Sequence, residues 1–262
     1  RARTCCSAEP GARTPSAPPL IGRNATRRRL HQLDLDFGRS AEGPMTPFAD
    51  RAAAGRALAA ELQGQGLRDP VVLALPRGGV PVAIEVAEAL AAPLDLLLVR
   101  KIGAPGHEEL ALGSVVSGDE ADFILVLNED VVNALSVSGA QVSAMAEREL
   151  REIERRRALY MAGQPPIGVE GKTAILVDDG IATGASMKAA VAAVRKRRPR
   201  TIIVAVPVAP PDSVAELASL ADQVVCLEQP ECFIAVGRFY QDFHQLSDAE
   251  VAGLLRAQGR LQ

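Results

Sequence analysis

The residues with the clearest chemical potential stand in one run, Ala174-Ile175-Leu176-Val177-Asp178-Asp179-Gly180-Ile181-Ala182-Thr183-Gly184-Ala185-Ser186. Its four apolar residues predict a buried strand with two acids at the carboxyl end, followed by a turn of small residues with two hydroxyls that opens a helix. A helix N-terminus offers unpaired N–H groups and the positive end of the helix dipole, which favour a phosphate. Glycine in the turn lets the backbone approach it closely. Two carboxylates would repel a phosphate, so they suit neutral hydroxyls or a cation. A ligand with a phosphate at one end and a diol some ångströms away, such as a ribose 5-phosphate, fits both halves. In isolation an Asp-Asp pair after a strand reads as a helix N-cap; the Thr-Gly-Ala-Ser that follows at this spacing makes the ligand reading the stronger.

Two further stretches could meet such a ligand. Pro76-Arg77-Gly78-Gly79 turns the chain after the apolar run Val71–Leu75, and Arg77 there reads as a ligand residue more readily than as a surface turn residue. Arg100-Lys101-Ile102-Gly103-Ala104-Pro105-Gly106-His107-Glu108-Glu109 reads as a polar, Gly-rich loop. Its His107-Glu108-Glu109 is by default exposed, with an acid or base role as the alternative, since histidine titrates near neutrality. Gly171-Lys172-Thr173 is not a P-loop, because Pro166 stands where the first glycine is needed and the strand follows the triplet instead of preceding it. Arg195-Lys196-Arg197-Arg198 complements the dipole at a helix C-terminus.

The elements that must position these residues alternate. Helical spacing of Phe48, Ala52, Leu58 and Leu62 predicts a helix from Phe48 to Gln63, ended by Gly64 and Gly66. A strand at 71–75, a helix to about Ala91 and a strand at Leu94–Val99 come next. Leu112–Val116 and Phe123–Leu127 around Ser117-Gly118-Asp119-Glu120 read as a hairpin. From Glu129 to about Tyr160 the pattern is helical, with Glu147–Arg151 and Glu152–Arg156 at i, i+4 and a charge run that reads as a solvated face. Then follow strand Thr173–Val177, helix Gly184–Arg197, strand Thr201–Val208, helix Asp212–Leu220 and strand Gln223–Leu227. The fold class is therefore α/β, a parallel sheet flanked by helices on both faces, with ligands expected beyond the carboxyl ends of the strands.

Composition narrows the function. The chain has 262 residues, 29 Lys+Arg against 32 Asp+Glu and a net charge of −3. This balance lacks the basic surplus of a nucleic-acid-binding protein. The longest apolar run, 201–209, is half of what a membrane span needs and is broken by Pro207. Cys5, Cys6, Cys226 and Cys232 have neither zinc-site spacing nor the density of a disulfide framework, which points to a reducing, cytoplasmic setting. Cys226, within an apolar run, reads as a small core residue. Residues 1–44 carry eight Arg against four acids with no apolar period, and are expected to be a disordered basic extension, with Met45 as the natural start. The remainder, 45–262, then carries a net charge of −7. There is no Trp, and four of the eight aromatics, Phe233, Phe239, Tyr240 and Phe243, fall within eleven residues.

From about residue 45 to 257 the sequence resembles the type I phosphoribosyltransferases. The stretch 174–186 is similar to their signature for phosphoribosyl pyrophosphate (PRPP), with Ser186 where Thr is commoner. Pro76-Arg77-Gly78-Gly79-Val80-Pro81, Val99-Arg100-Lys101-Ile102-Gly103, and Ala235-Val236-Gly237 followed by Tyr240-Gln241-Asp242-Phe243 resemble a bacterial subgroup of that family. The resemblance implies a phosphoribosyltransferase core (Rossmann-like) with a small C-terminal hood, about 228–248, and a flexible lid beginning at Arg100 and Lys101. It implies that Asp178 and Asp179 hold the ribose hydroxyls, that Ala182, Thr183, Gly184, Ala185 and Ser186 wrap the 5-phosphate, and that Arg77, Gly78, Gly79 and Arg100 meet the pyrophosphate, with Lys101 acting in catalysis. Phe233, Val236, Phe239 and Tyr240 would face the acceptor, or else some of them are merely the core of the hood. Also implied are a Mg2+ cofactor carried mainly by PRPP, with contacts through water to Asp178 and Asp179, a nitrogenous base as acceptor, a role in nucleotide salvage, and a homodimer. A regulator that binds PRPP without turnover, and a transferase with an acceptor other than a nucleobase, are the alternatives.

Overall fold

The computed structural model describes residues 47–104, 107–118, 123–161 and 164–259, with backbone alone at 107–110. The expected extension 1–44, Met45, the Asp119-Glu120 half of the hairpin turn and the side chains of His107-Glu108-Glu109 lie outside what is described.

Five strands form a parallel sheet: β1 (Pro70–Ala74), β2 (Leu94–Leu96), β6 (Thr173–Val177), β7 (Thr201–Val208) and β8 (Gln223–Glu228), in the order β2-β1-β6-β7-β8. Thr173 to Val177 are buried throughout, as a strand covered on both faces requires. Alternate residues feed two cores. Val72, Ala74, Ile175, Val177, Ile203 and Ala205 pack with α1 (Arg51–Gln63), α2 (Gly79–Ala89) and α7 (Asp248–Ala257), together with α4 (Gly139–Met161). Val71, Leu73, Ala174, Leu176, Ile202, Val204 and Val206 pack with α5 (Ala185–Lys196) and α6 (Pro211–Ala218). A smaller cluster joins Ala54, Val208, Phe239 and Tyr240, with Phe48, Phe233, Val236 and Phe243 against it.

From β1 the chain crosses to β2 on one side, and it returns to β6 on the other. Pro70↔Thr173 through Ala74↔Val177 are in register, so the loops that leave these two strands open side by side. This reversal of strand order is where an open α/β sheet forms its ligand crevice.

Three expectations change. The strand at Leu94–Val99 ends at Leu96; Leu97 still donates its N–H to Ala74, and Leu98 then bonds to Ser117 instead. The stretch read as a polar loop from Arg100 is two strands, β3 (Val99–Ala104) and β4 (His107–Ser117), which with β5 (Phe123–Leu127) form an antiparallel sheet in the order β3-β4-β5. Ile102 and Ala104 alternate inward, a period hidden by Gly103, which falls where the register shifts. The helix expected over 129–160 is broken between α3 (Glu129–Ala134) and α4, where Ser136 takes a left-handed φ of +49°. Glu152 pairs with Arg156 as its spacing suggests, and also with Arg155, whereas Glu147 and Arg151 form no ion pair. Helix α7, absent from the sequence reading, is signalled by the reciprocal cap of Ser247 and Glu250. No helix among the described residues is long and apolar enough to cross a membrane.

Leu176 lies in the central strand with no exposed surface. Leu176→Ala is expected to lower the unfolding free energy by about 2–5 kcal/mol, read from urea denaturation.

Candidate functional site

The crevice between β1 and β6 brings together two of the stretches singled out above. At the end of β6, Asp178 accepts a hydrogen bond from the backbone N–H of Asp179 through Oδ1 at 2.9 Å. Asp179 Oδ2 accepts from Arg51 Nε at 2.7 Å, with both side chains largely buried. On the β1 side, Gly79 lies so close to the end of β6 that a Cβ there would fall 2.6 Å from the carbonyl oxygen of Val177. A Cβ on Gly78 would fall 2.1 Å from Asp179 Oδ2. Glycine is therefore required at both positions by the approach of one loop to the other, before any ligand is considered.

The acids differ in their surroundings. Burial, followed by the neighbouring charge of Asp179, pushes the Asp178 carboxyl well above its ordinary value of 3.8. Burial also raises Asp179, opposed by the Arg51 guanidinium. Asp178 has no cation within ion-pair distance among the described residues. The concentration of negative charge is thus only half relieved.

Past the acids, Ile181 is buried, and its N–H bonds to the Val208 carbonyl, which fixes the chain against β7. Ala182 and Thr183 are exposed, and Ser213 on α6 anchors them by donating to the Ala182 carbonyl at 2.9 Å. Gly184 then adopts φ +70°, a conformation open to glycine, and starts α5 with no side-chain cap. The N–H groups at the head of α5, beside Ala185 and Ser186, are left for an anion. Lys188, one turn further on, is engaged by Glu216.

The other predicted residues are placed differently. Arg77, joined to Pro76 by a cis peptide bond, lies 3.9 Å from Asp248 Oδ1, which accepts from Tyr160 Oη at 2.6 Å; Arg155 Nη2 donates to Asp248 Oδ2 at 3.0 Å. Burial and Asp248 push the Tyr160 phenol up to about 12, while Tyr160 and Arg155 hold Asp248 low. Arg100 is paired with Glu149 of α4 through Nε at 2.8 Å. Lys101 is exposed and makes no ion pair with either acid.

The clustered aromatics pack chiefly on one another. Tyr240 stacks on Phe243 with centroids 5.0 Å apart, Phe233 on Phe239 at 5.5 Å, and Phe48 meets Tyr240 at 5.7 Å. Tyr240 Oη donates to the Asp179 carbonyl at 2.6 Å. Phe239 and Tyr240 are buried, which favours a core role for these two. Val236 is half-buried directly over Gly180, where a Cβ would meet it at 2.6 Å, and Ile234 is 78% exposed.

Arg51 was not singled out in the sequence, yet it holds the site together. Besides Asp179 it donates Nη1 to the His244 carbonyl at 3.0 Å, and its guanidinium lies over the Phe243 ring at 3.9 Å. The signal was present: the buried residues of α1 are Arg51, Ala54, Gly55, Leu58, Ala59 and Leu62, so a cation stands on the apolar stripe. Ala52, placed on that stripe from spacing, is beside it. A cavity of about 500 Å3 bordered by Pro81, Leu246 and Leu254 adjoins Arg51 on another side.

No three His, Cys, Asp or Glu side chains converge as a metal cage among the described residues. What the crevice offers a hard cation is the Asp178 carboxylate, beside whatever oxygens a ligand brings, a donor set suited to Mg2+ that keeps most of its waters.

Comparison with known proteins gives a consistent picture. The profile of the family described as "Phosphoribosyl transferase domain" matches residues 48–244. A protein of Mycobacterium tuberculosis named "Putative phosphoribosyl transferase", known from two strains, is 46% identical over 211 residues; the match covers 80% of this chain and 47% of that protein. The chain thus spans about half the length of the curated relatives it matches. The crystal structure of TT1426 from Thermus thermophilus superposes with a TM-score of 0.70 at 43% identity, covering 80% of this chain and 98% of that one.

Two outcomes follow from the crevice. Gly78→Ala is expected to force the two loops apart and lower Tm, read by thermal melting; an unchanged Tm would contradict the contact. Folded Asp178 keeps its proton at pH values where the unfolded chain has lost it, so its contribution to stability falls as pH rises above about 4. Asp178→Asn is expected to melt higher than the wild type at about pH 7, the gap closing towards about pH 4, in melts across that range.

Proposed function

The chain belongs to the phosphoribosyltransferase family, and from that premise we propose that it transfers ribose 5-phosphate from PRPP to a nitrogenous base, with release of pyrophosphate. The observation that carries this reading is the meeting, at the β1/β6 reversal, of an uncapped helix N-terminus with two crowded carboxylates and a glycine loop.

Each part has a role in that chemistry. The N–H groups of Gly184, Ala185 and Ser186 would bind the 5-phosphate, with the Thr183 and Ser186 hydroxyls as further donors. Asp178 and Asp179 would accept hydrogen bonds from the ribose hydroxyls. As the bond from C1 to pyrophosphate lengthens, positive charge grows on the ribose, and a carboxylate-rich floor stabilises it more than it stabilises the ground state. Arg77 and the backbone at Gly78-Gly79 would meet the departing pyrophosphate, joined by Arg100 and Lys101 once their hairpin closes over the crevice and excludes water. Asp178 and Asp179 would hold, through water, a Mg2+ ion carried mainly by PRPP, and such an ion would supply charge neutralisation for the leaving group. Phe233, Val236 and the exposed Ile234 are the hood residues best exposed to contact the acceptor, with Phe239 and Tyr240 supporting them from behind. The acceptor's use in nucleotide salvage belongs to the same reading.

The test is release of pyrophosphate from PRPP and Mg2+ across a panel of nucleobases and other nitrogen nucleophiles. Asp178→Asn combined with Asp179→Asn is expected to slow release by about 100-fold or more with the circular dichroism spectrum unchanged. Unaltered release would remove the acids from the site. Tight PRPP binding with no release for any acceptor would favour a PRPP-sensing protein.

A further inference from the structure

The charge run of α4 lines a groove. Along the open edge of β3, residues 100–104 face Gln141, Ala144, Met145, Arg148 and Glu149, one side of α4 at helical spacing, and enclose about 630 Å3. The groove continues into a second hollow of about 390 Å3 bordered by Arg100, Arg148, Glu149, Arg151, Glu152 and Arg155. Five cations thus converge from two elements on a concave surface that holds two glutamates. Both glutamates are committed, Glu149 to Arg100 and Glu152 to Arg155 and Arg156. Among the described residues Lys101, Arg148 and Arg151 have no counter-ion.

A local surplus of about three positive charges is unexpected where residues 45–262 carry a net charge of −7. Cations of one sign gathered in a concavity repel each other and focus a field that draws in an anion of matching charge. Arginine forks on successive turns suit the oxygens of linked phosphates, and Ala144, Met145 and Ile102 make one end of the groove apolar.

We propose that the groove between β3 and α4 is a second anion site that takes a ligand bearing two or more linked phosphates. Such a ligand holds Arg100 and Lys101 against α4 and so keeps them from the crevice. This last consequence rests on the phosphoribosyltransferase reading; the binding itself does not.

Methionine methyl resonances separate the two sites, since Met145 lines the groove whereas Met187 lies in the first turn of α5 beside the candidate phosphate loop. With methyl-labelled methionine in the full chain, titration by inorganic tripolyphosphate at about 0.1 M salt is expected to shift Met145 with a micromolar midpoint. Arg148→Ala combined with Arg151→Ala is expected to weaken that midpoint at least tenfold and leave any Met187 titration unchanged. Tighter binding of ATP than of tripolyphosphate identifies a nucleoside polyphosphate as the ligand class, and equal binding identifies the phosphates alone; both uphold the site. A Met145 signal that moves only at millimolar anion, or equally in the double variant, overturns it. In turnover assays tripolyphosphate should inhibit the wild type at least tenfold more strongly than the variant, at equal uninhibited rates. A wild type that turns over no acceptor refutes the function proposed above and leaves the groove to be judged by Met145.

Discussion

The candidate site depends on one buried guanidinium. Arg51 bonds to Asp179 at the end of the central strand and to the His244 carbonyl, and it lies against the Phe243 ring. Breaking a buried ion pair by removing one partner typically costs about 3–5 kcal/mol, because the other charge is left without compensation. Here the arrangement does more than balance a charge. It ties the first helix, the end of β6 and the C-terminal segment to a single point, and Tyr240 reinforces the joint through the Asp179 carbonyl.

That joint explains the asymmetry between the acids. Asp179 is held in position and partly neutralised, while Asp178, buried beside it without a cation of its own, holds its proton more tightly than an ordinary carboxyl does. A pair of carboxyls crowded in a crevice, with their proton affinities shifted by burial and by each other, is the kind of arrangement that clusters at functional sites. The glycines opposite serve the same end. Gly78 and Gly79 allow the β1 loop to lie directly on the carboxylates, so the crevice is narrow before anything enters it.

Much of this was legible in the sequence because strands buried on both faces are uniform apolar runs and glycine turns mark their ends. The runs 173–177 and 201–208 sit in the sheet as expected. What was lost lay where local pattern and tertiary setting disagree. Gly103, Pro105 and Gly106 masked the strand character of this stretch, where the inward Ile102 and Ala104 of β3 are set by packing and not by propensity, with α4 against β3 and β4. Arg51 looked like one more polar residue of α1, because its partner is 128 positions away. The aromatics between 233 and 243 could be counted but not assigned, since stacking on a base and stacking on each other demand the same residue types; Phe239 and Tyr240 turn out to be buried in the cluster.

The span of these contacts also bears on how the protein is made. Phe48 exchanges backbone hydrogen bonds with Phe239 and Gln241, and Arg51 reaches His244, 193 residues along the chain. Closing loops of this length is slow and is rewarded only when nearly the whole domain is present. During synthesis β1, β6 and the turn at 182–186 leave the ribosome well before residue 244 does, so for that interval Arg51, the partner of Asp179, lacks its anchor at the His244 carbonyl. The geometry of the crevice is therefore completed late in the nascent chain, and a truncated product ending before the Tyr240–His244 segment would carry the Asp178-Asp179 stretch without the contacts that fix it.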